Sequence, residues 1–265
     1  RLYRTRAFQK QDAQKVLAIY NDNNRRRTCS TIRTPQYFAT FPKKSQEFVV
    51  IEDSRRRIVA YAISDKSTDR ADIHEIGTRT DDVLPTLLGA LAKVAIKRRL
   101  GELKIFLPPD HPFARFCHQY DCRFTTGYHK NSGALIRMLN QDSLFLRLRK
   151  DWNRRIAHSA FREHSGSLRF ATDIGDTTLE IRRGSLEVRP GRKARTLLPL
   201  SQGQLTQLLV GYRGPQEILR EADVEVSPKV LSLLNVLFPK QYCHLWDVSR
   251  FEGLRLRPED FDNHS

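Results

Sequence analysis

The sequence predicts an α/β domain with a mixed sheet flanked by helices over residues 1–140. A smaller α+β domain with its linker helix follows over 141–265. Three observations carry this reading. A chain of 265 residues exceeds the ~150 residues of a typical single domain. Its first part alternates strand and helix patterns, whereas its last part runs strands first and helices afterwards, the order of helices laid on one face of a sheet. The composition, 39% hydrophobic and 29% charged, excludes collagen-like and strongly disordered classes and leaves apolar surface for two cores.

In the first domain, Tyr3 to Ala7 reads as a strand, followed by a helix with Val16, Leu17, Ile19 and Tyr20 at helical spacing. Thr34-Pro35 is a cap-plus-proline start for a short helix to Phe41. Phe48 to Glu52 and Ile58 to Ser64 form a hairpin about Asp53-Ser54-Arg55, and Ala71 to Gly77 is a third strand. Asp81-Asp82 is expected to cap a long helix bearing Leu84, Leu87, Leu88, Leu91, Val94 and Ala95, with Lys97, Arg98 and Arg99 in its last turn and Gly101 as its stop. A strand from Leu103 to Leu107, a helix from Pro112 to Tyr120, and strands near Phe124 to Tyr128 and Ala134 to Leu139 complete it.

The second domain opens on a polar helix over 141 to about 164, whose Leu144, Leu148, Trp152 and Ile156 form one apolar stripe. Trp152 therefore reads as a packing anchor. Three short strands follow, Leu168 to Thr172, Thr178 to Arg182 and Leu186 to Val188, separated by turn residues such as Asp173, Gly175 and Gly184. Helices over Ser201 to Leu209, Pro215 to Ala222 and Ser227 to Phe238 close the pattern.

Charge narrows the partners. Forty-six Lys and Arg against 30 Asp and Glu leave a net charge of +16, which favours weak, non-specific binding to polyanions. The clusters, such as Arg25 to Arg27 and Arg55 to Arg57, are scattered, and no sequence-reading nucleic-acid motif accompanies them. Cys29, Cys117, Cys122 and Cys243 fit no zinc pattern and read as buried thiols of a reducing cytoplasm. The eight histidines show no paired-ligand spacing, so no metal is expected. No apolar run approaches the ~18 residues of a spanning helix, and residues 1–10 lack the h-region of a signal peptide. The only methionine is Met138, which reads as a piece of a longer chain.

The residues IHEIGT at 73–78 and the long helix after them, with IFLPPDHPFARF at 105–116 and YDCRF at 120–124, resemble the GNAT acetyltransferase fold. The segments SLRFATDIGDTTLEI, LSQGQLTQLLVGYRGPQEILREADVEV and VLSLLNVLFP, then a Trp and Phe251, resemble a sterol-carrier-like domain. Joined through GALIRMLNQDSLFLRL, the two resemble the last two domains of the Eis-like (enhanced intracellular survival) acetyltransferases. The resemblance implies a degenerate GNAT domain and a sterol-carrier-like domain, with the catalytic, acetyl-CoA-binding domain lying upstream. It also implies an amine substrate for the whole enzyme and a homo-oligomer. In that family the C-terminal carboxylate enters the active site as base; here 14 residues follow Phe251, a departure.

Residue chemistry agrees with a non-catalytic role. A GNAT enzyme cradles the cofactor's pyrophosphate in backbone N–H groups reached through a Gly-rich turn. Here the turn reads Gly77-Thr78-Arg79-Thr80-Asp81-Asp82-Val83-Leu84, with no glycine after Gly77 and two carboxylates that repel a diphosphate. No cofactor is therefore expected in this chain. Glu75 is the candidate general base, placed as some GNAT bases are, with a salt-bridge role as the alternative. The leaving-group tyrosine of the family has Cys117 in its place, with Tyr120 nearly a turn away. Two further classes stay open: an apolar-ligand module lined by Leu233, Leu234, Leu237 and Phe238, and electrostatic nucleic-acid binding.

Overall fold

The computed structural model describes residues 3–38, 46–65, 72–120, 122–125 and 136–243. The chain divides into two compact units, one within residues 1–127 and one within 128–243. The division precedes the 140/141 boundary expected from sequence.

The first unit runs β1 (Arg4–Ala7), α1 (Ala13–Asn24), α2 (Pro35–Phe38), β2 (Gln46–Glu52), β3 (Ile58–Asp65), β4 (Asp72–Thr78), α3 (Leu84–Lys97), β5 (Lys104–Ile105) and α4 (Pro112–Cys117). Its sheet has the order β1-β2-β3-β4-β5, antiparallel through β4, with β5 parallel to β4 at two positions, Asp72↔Lys104 and Ile73↔Ile105. The pleat of β3 sorts its side chains. Ala60 and Ala62 join Leu84, Leu87, Leu91 and Phe113 on the α3 face, while Tyr61 and Ile63 join Val16, Ile19 and Tyr20 on the α1 face. A strand buried on both sides reads as a continuous apolar run, as IVAYAI does.

Local chemistry sets the ends of these elements. In the β2–β3 turn, Asp53 Oδ1 accepts from the backbone N–H of Arg55 and of Arg57, both at 2.9 Å, an Asx-type closure. Asp81 and Asp82 do not cap α3. They lie in a 3-10 turn over Asp81–Val83 behind Thr80, with no side-chain cap bond, and Asp82 Oδ2 instead accepts from the Tyr3 hydroxyl at 2.7 Å. α3 ends before Gly101, at Lys97, where Arg98 folds its guanidinium onto Asp65 O and Glu47 and Arg99 takes a left-handed φ of 56°. The strand expected over 103–107 keeps two paired residues, with the Phe106 N–H still donating to Ile73 O at 2.9 Å before the chain reaches Pro108-Pro109. The strands expected near 124–128 and 134–139 fall partly outside the described residues; 122–125 and 136–139 are irregular.

Arg6 ties β1 to its surroundings, donating to Asp12 at 2.6 and 2.9 Å and to Glu52 at 2.9 and 2.7 Å. The Arg6 hydrogen bonds, against a smaller burial cost, hold the Asp12 carboxyl below its ordinary range, helped by the Gln9 N–H. A carboxyl whose pKa is depressed on folding stabilises fully above its unfolded value, about 3.9. That contribution is lost as pH falls through the folded value. Asp12→Asn should therefore lower stability at pH 6 and remove part of the decline below pH 4, read from urea midpoints across pH.

The second unit runs α5 (Gln141–Ala157), β6 (Gly166–Thr172), β7 (Gly175–Arg182), β8 (Ser185–Pro190), β9 (Thr196–Pro199), α6 (Gln202–Val210), α7 (Pro215–Glu221) and α8 (Pro228–Leu237). The sheet order is β8-β7-β6-β9, a meander with β9 parallel to β6. β9 is an addition to the three strands expected. The α5 stripe buries Trp152 and Ile156 as predicted, and it also buries Phe145. Phe145, Trp152, Phe170 and Phe238 close an edge-to-face ring with centroids 5.1 to 5.6 Å apart. At the β7–β8 turn Gly184 has φ +76°, and a Cβ there would lie 1.8 Å from Arg162 O, so only glycine fits. α6 opens on a capping box, Ser201 with Gln204.

Candidate functional site

The polar groups of the first unit converge on β4. Glu75 lies there, only 5% exposed, and two neighbours take its carboxylate. Arg33, whose side chain is fully buried, donates its two terminal nitrogens to Oε1 at 2.9 Å and Oε2 at 2.6 Å. Tyr61 of β3, opposite Gly77 and diagonal to Glu75, donates its hydroxyl to Oε1 at 2.7 Å. The Arg33 guanidinium lies 3.6 Å from the centroid of the Tyr20 ring, a cation–π stack. Burial lowers the guanidinium's proton affinity, and the charge and hydrogen bonds of Glu75 more than reverse this, so its pKa is raised. Burial first, then the Glu75 charge, push the Tyr61 phenol far above its ordinary value. Glu75 is thus a carboxylate with three strong donors, bound as an ion-pair partner.

Two side chains fill the outer edge of β4. Asn23 of α1 mimics a strand, accepting from Thr78 N at 2.9 Å and donating to Thr78 O at 2.8 Å. His111 Nδ1 accepts from Phe113 N at 3.1 Å. Its proton therefore sits on Nε2, which donates to Ile76 O at 3.2 Å. Gly77, between them, is needed for packing: a Cβ there would meet Tyr61 Cε1 at 2.2 Å. A cavity of ≈110 Å³ adjoins this edge, lined by Tyr20, Asn23, Arg27, Glu75, His111 and neighbours.

The turn after Thr78 does not fit acetyl-CoA. It holds no glycine, Gly77 before it packs against the Tyr61 ring, and Asp81 and Asp82 are exposed beside the first turn of the helix. Neither Cys117 nor Tyr120 lines the cavity that Glu75 lines. Burial, then the nearby Cys122, raise the Cys117 thiol, so it is held protonated. Tyr120 is half-exposed, edge-on to Phe116. None of the four cysteines is in a disulfide.

In the second unit, Leu233, Leu234, Leu237 and Phe238 are all buried members of the core that holds Trp152 and Phe170. An open groove of ≈630 Å³ lies along Ala171 to Asp173 and Pro199 to Gly203. The helix start beside it is already capped by Ser201 and by Asp173, which accepts from Gln202 N at 2.9 Å. Trp246, Phe251 and the tail after it lie outside the described residues. Among the described residues no cluster of His, Cys, Asp or Glu could hold a metal ion, and no helix is long and apolar enough to cross a membrane.

Sequence reading missed Arg33, which sits between two short helices with no local pattern to mark it. It also missed Tyr61, whose signal was a phenol in the middle of the apolar run IVAYAI.

Solved structures share this architecture. A GCN5-related N-acetyltransferase from Kribbella flavida matches over 92% of this chain and 59% of its own, with a TM-score of 0.61 and 15% identity. A GCN5-related N-acetyltransferase from Anabaena variabilis ATCC 29413 matches over 90% of this chain and 61% of its own, with a TM-score of 0.59 and 12% identity. The chain has the GNAT fold. A third match, from Enterococcus faecalis V583, is a conserved protein described as a probable N-acyltransferase, with a TM-score of 0.55 and 13% identity over 90% of this chain and 59% of its own. The chain spans about three fifths of the length of these GNAT-fold structures. No family model matches the chain, and no curated protein matches it by sequence.

Proposed function

We propose that the chain is the C-terminal, non-catalytic part of an acetyl-CoA-dependent N-acetyltransferase of GNAT type, as in Eis-like enzymes. Residues 1–140 are a degenerate acetyltransferase domain, and 141–265 a linker helix with a sterol-carrier-like domain. They frame the acceptor pocket for an amine and support a homo-oligomer in the cytoplasm, while acetyl-CoA binds elsewhere in the whole enzyme. The observation that carries this is the pairing of Glu75: both of its oxygens are held by the buried Arg33 guanidinium and Oε1 also by the Tyr61 hydroxyl, so taking a proton from an amine would break a buried ion pair. The filled edge of β4 and the acidic turn support it. Calorimetric titration with acetyl-CoA should give no affinity tighter than millimolar. Micromolar binding of acetyl-CoA by the wild-type chain would overturn the reading.

A second reading rests on charge. Arg26, Arg55 and Arg56 are exposed on turns, free to meet phosphates, in a chain of net charge +16. Heparin and random duplex DNA should bind alike at low salt and be lost together near ~150 mM, with log K falling by roughly 0.9 per log salt for each duplex phosphate neutralised. A single sequence retained against excess random competitor at that salt would refute this and point to base readout.

A further inference from the structure

We infer that Tyr20, Tyr61 and Glu75 form a guanidinium-binding site whose resident ligand is the chain's own Arg33. The parts are those of a built receptor. Glu75 presents both oxygens to one planar fork, at 2.9 and 2.6 Å, and bidentate geometry distinguishes a guanidinium from an ammonium. Tyr20 gives it an aromatic face at 3.6 Å, and the Tyr61 hydroxyl fixes the carboxylate from behind at 2.7 Å. All three receptor side chains belong to regular elements, α1, β3 and β4, whereas Arg33 enters from the irregular segment that joins α1 to α2.

The segment that carries the ligand has anchors besides the guanidinium itself. Asn21 brackets the Arg33 backbone, accepting from its N–H and donating to its C=O, both at 3.0 Å. Arg27, earlier in the same segment, pairs with Asp110 at 2.8 Å. Receptor and ligand are thus two parts of one molecule. Docking the arginine fastens the segment 25–34 onto the sheet, as a bound ligand would order a loop. The ≈110 Å³ cavity shares Tyr20 and Glu75 with the receptor, so an alkylguanidinium from solution has space for a short alkyl tail beside the carboxylate. Tethering gives Arg33 an effective concentration in the millimolar range or above, which keeps a free guanidinium out of the intact protein.

The test uses the full chain with Arg33→Ala and ethylguanidinium chloride as the probe, against ethylammonium chloride and sodium chloride at equal ionic strength. Ethylguanidinium at ~50 mM should raise the melting temperature of Arg33→Ala by roughly 5 °C or more, with ethylammonium giving less than half of that. It should leave the wild type unshifted, and Arg33→Ala/Glu75→Gln unshifted as well. If Arg33→Ala does not fold alone, recovery on refolding from urea with ethylguanidinium is the readout, and failure to recover with it overturns the inference. So do equal stabilisation by the two cations, a shift in the double variant, or a wild-type shift as large as that of Arg33→Ala. Acetyl-CoA enters none of these arms, so this inference and the acetyltransferase reading fail independently.

Discussion

Glu75→Ala should destabilise the first unit by about 3–5 kcal/mol, the range for breaking a buried ion pair by removing one partner. The Arg33 side chain is fully buried, and without Glu75 its charge loses both carboxylate hydrogen bonds, which the Tyr20 face, worth at most about 2 kcal/mol when desolvated, does not replace. The Tyr61 hydroxyl, also fully buried, loses its acceptor at the same time. The pair is not a net source of stability. Desolvating two ions offsets most of their attraction, so replacing the whole set, Arg33→Met with Glu75→Leu and Tyr61→Phe, should restore stability to within about 1–2 kcal/mol of the wild type. Hydrogen exchange at the β3 and β4 amides reads the first unit alone, which matters because two compact units need not unfold in one transition. A single variant that loses less than 1 kcal/mol would mean that water or another cation reaches the pair.

The contrast between what the sequence showed and what it hid follows from the range of the interactions. The apolar run IVAYAI between turn residues marked β3, whose side chains feed two different cores, and helical periodicity marked α3 through its apolar face. It placed Trp152 and Ile156 inward but left out Phe145, which also points at the core. β9 escaped because TLLP is short, ends on Pro199, and pairs in parallel with a strand about 28 residues earlier. Asp81 and Asp82 fit a capping pattern, yet the 3-10 turn placed Thr80 ahead of them, and no side chain closes the helix start. The site was harder still. Glu75 was visible as a carboxylate on the strand that is β4, but its pairing depends on Arg33, 42 residues away. Asn23 and His111 reach β4 across 55 and 35 residues. Side-chain bonds over such distances leave no local pattern, so a base and a buried ion-pair partner look alike in sequence.

Trp152→Ala should cost the second unit about 3–5 kcal/mol, the usual penalty for truncating a buried large aromatic. Trp152 is 1% exposed and touches two members of the ring, Phe145 at 5.1 Å and Phe238 at 5.6 Å between centroids. Phe238 follows α8 and Phe145 belongs to α5, so the indole couples α5 to α8 beside the strand that carries Phe170. Removing it leaves a void that neither rigid helix can close. Trp152→Phe keeps an edge-to-face partner and should cost roughly half as much. The pair of variants separates packing from the ligand reading of this core. If Leu233, Leu234, Leu237 and Phe238 only fill volume, the void in Trp152→Ala stays apolar and a small hydrocarbon such as benzene should bind it and raise the urea midpoint, as in engineered dry cavities. The wild type should show no such response. A wild-type midpoint that rises with fatty acid or benzene would instead show that the core between sheet and helices already holds room for an apolar ligand.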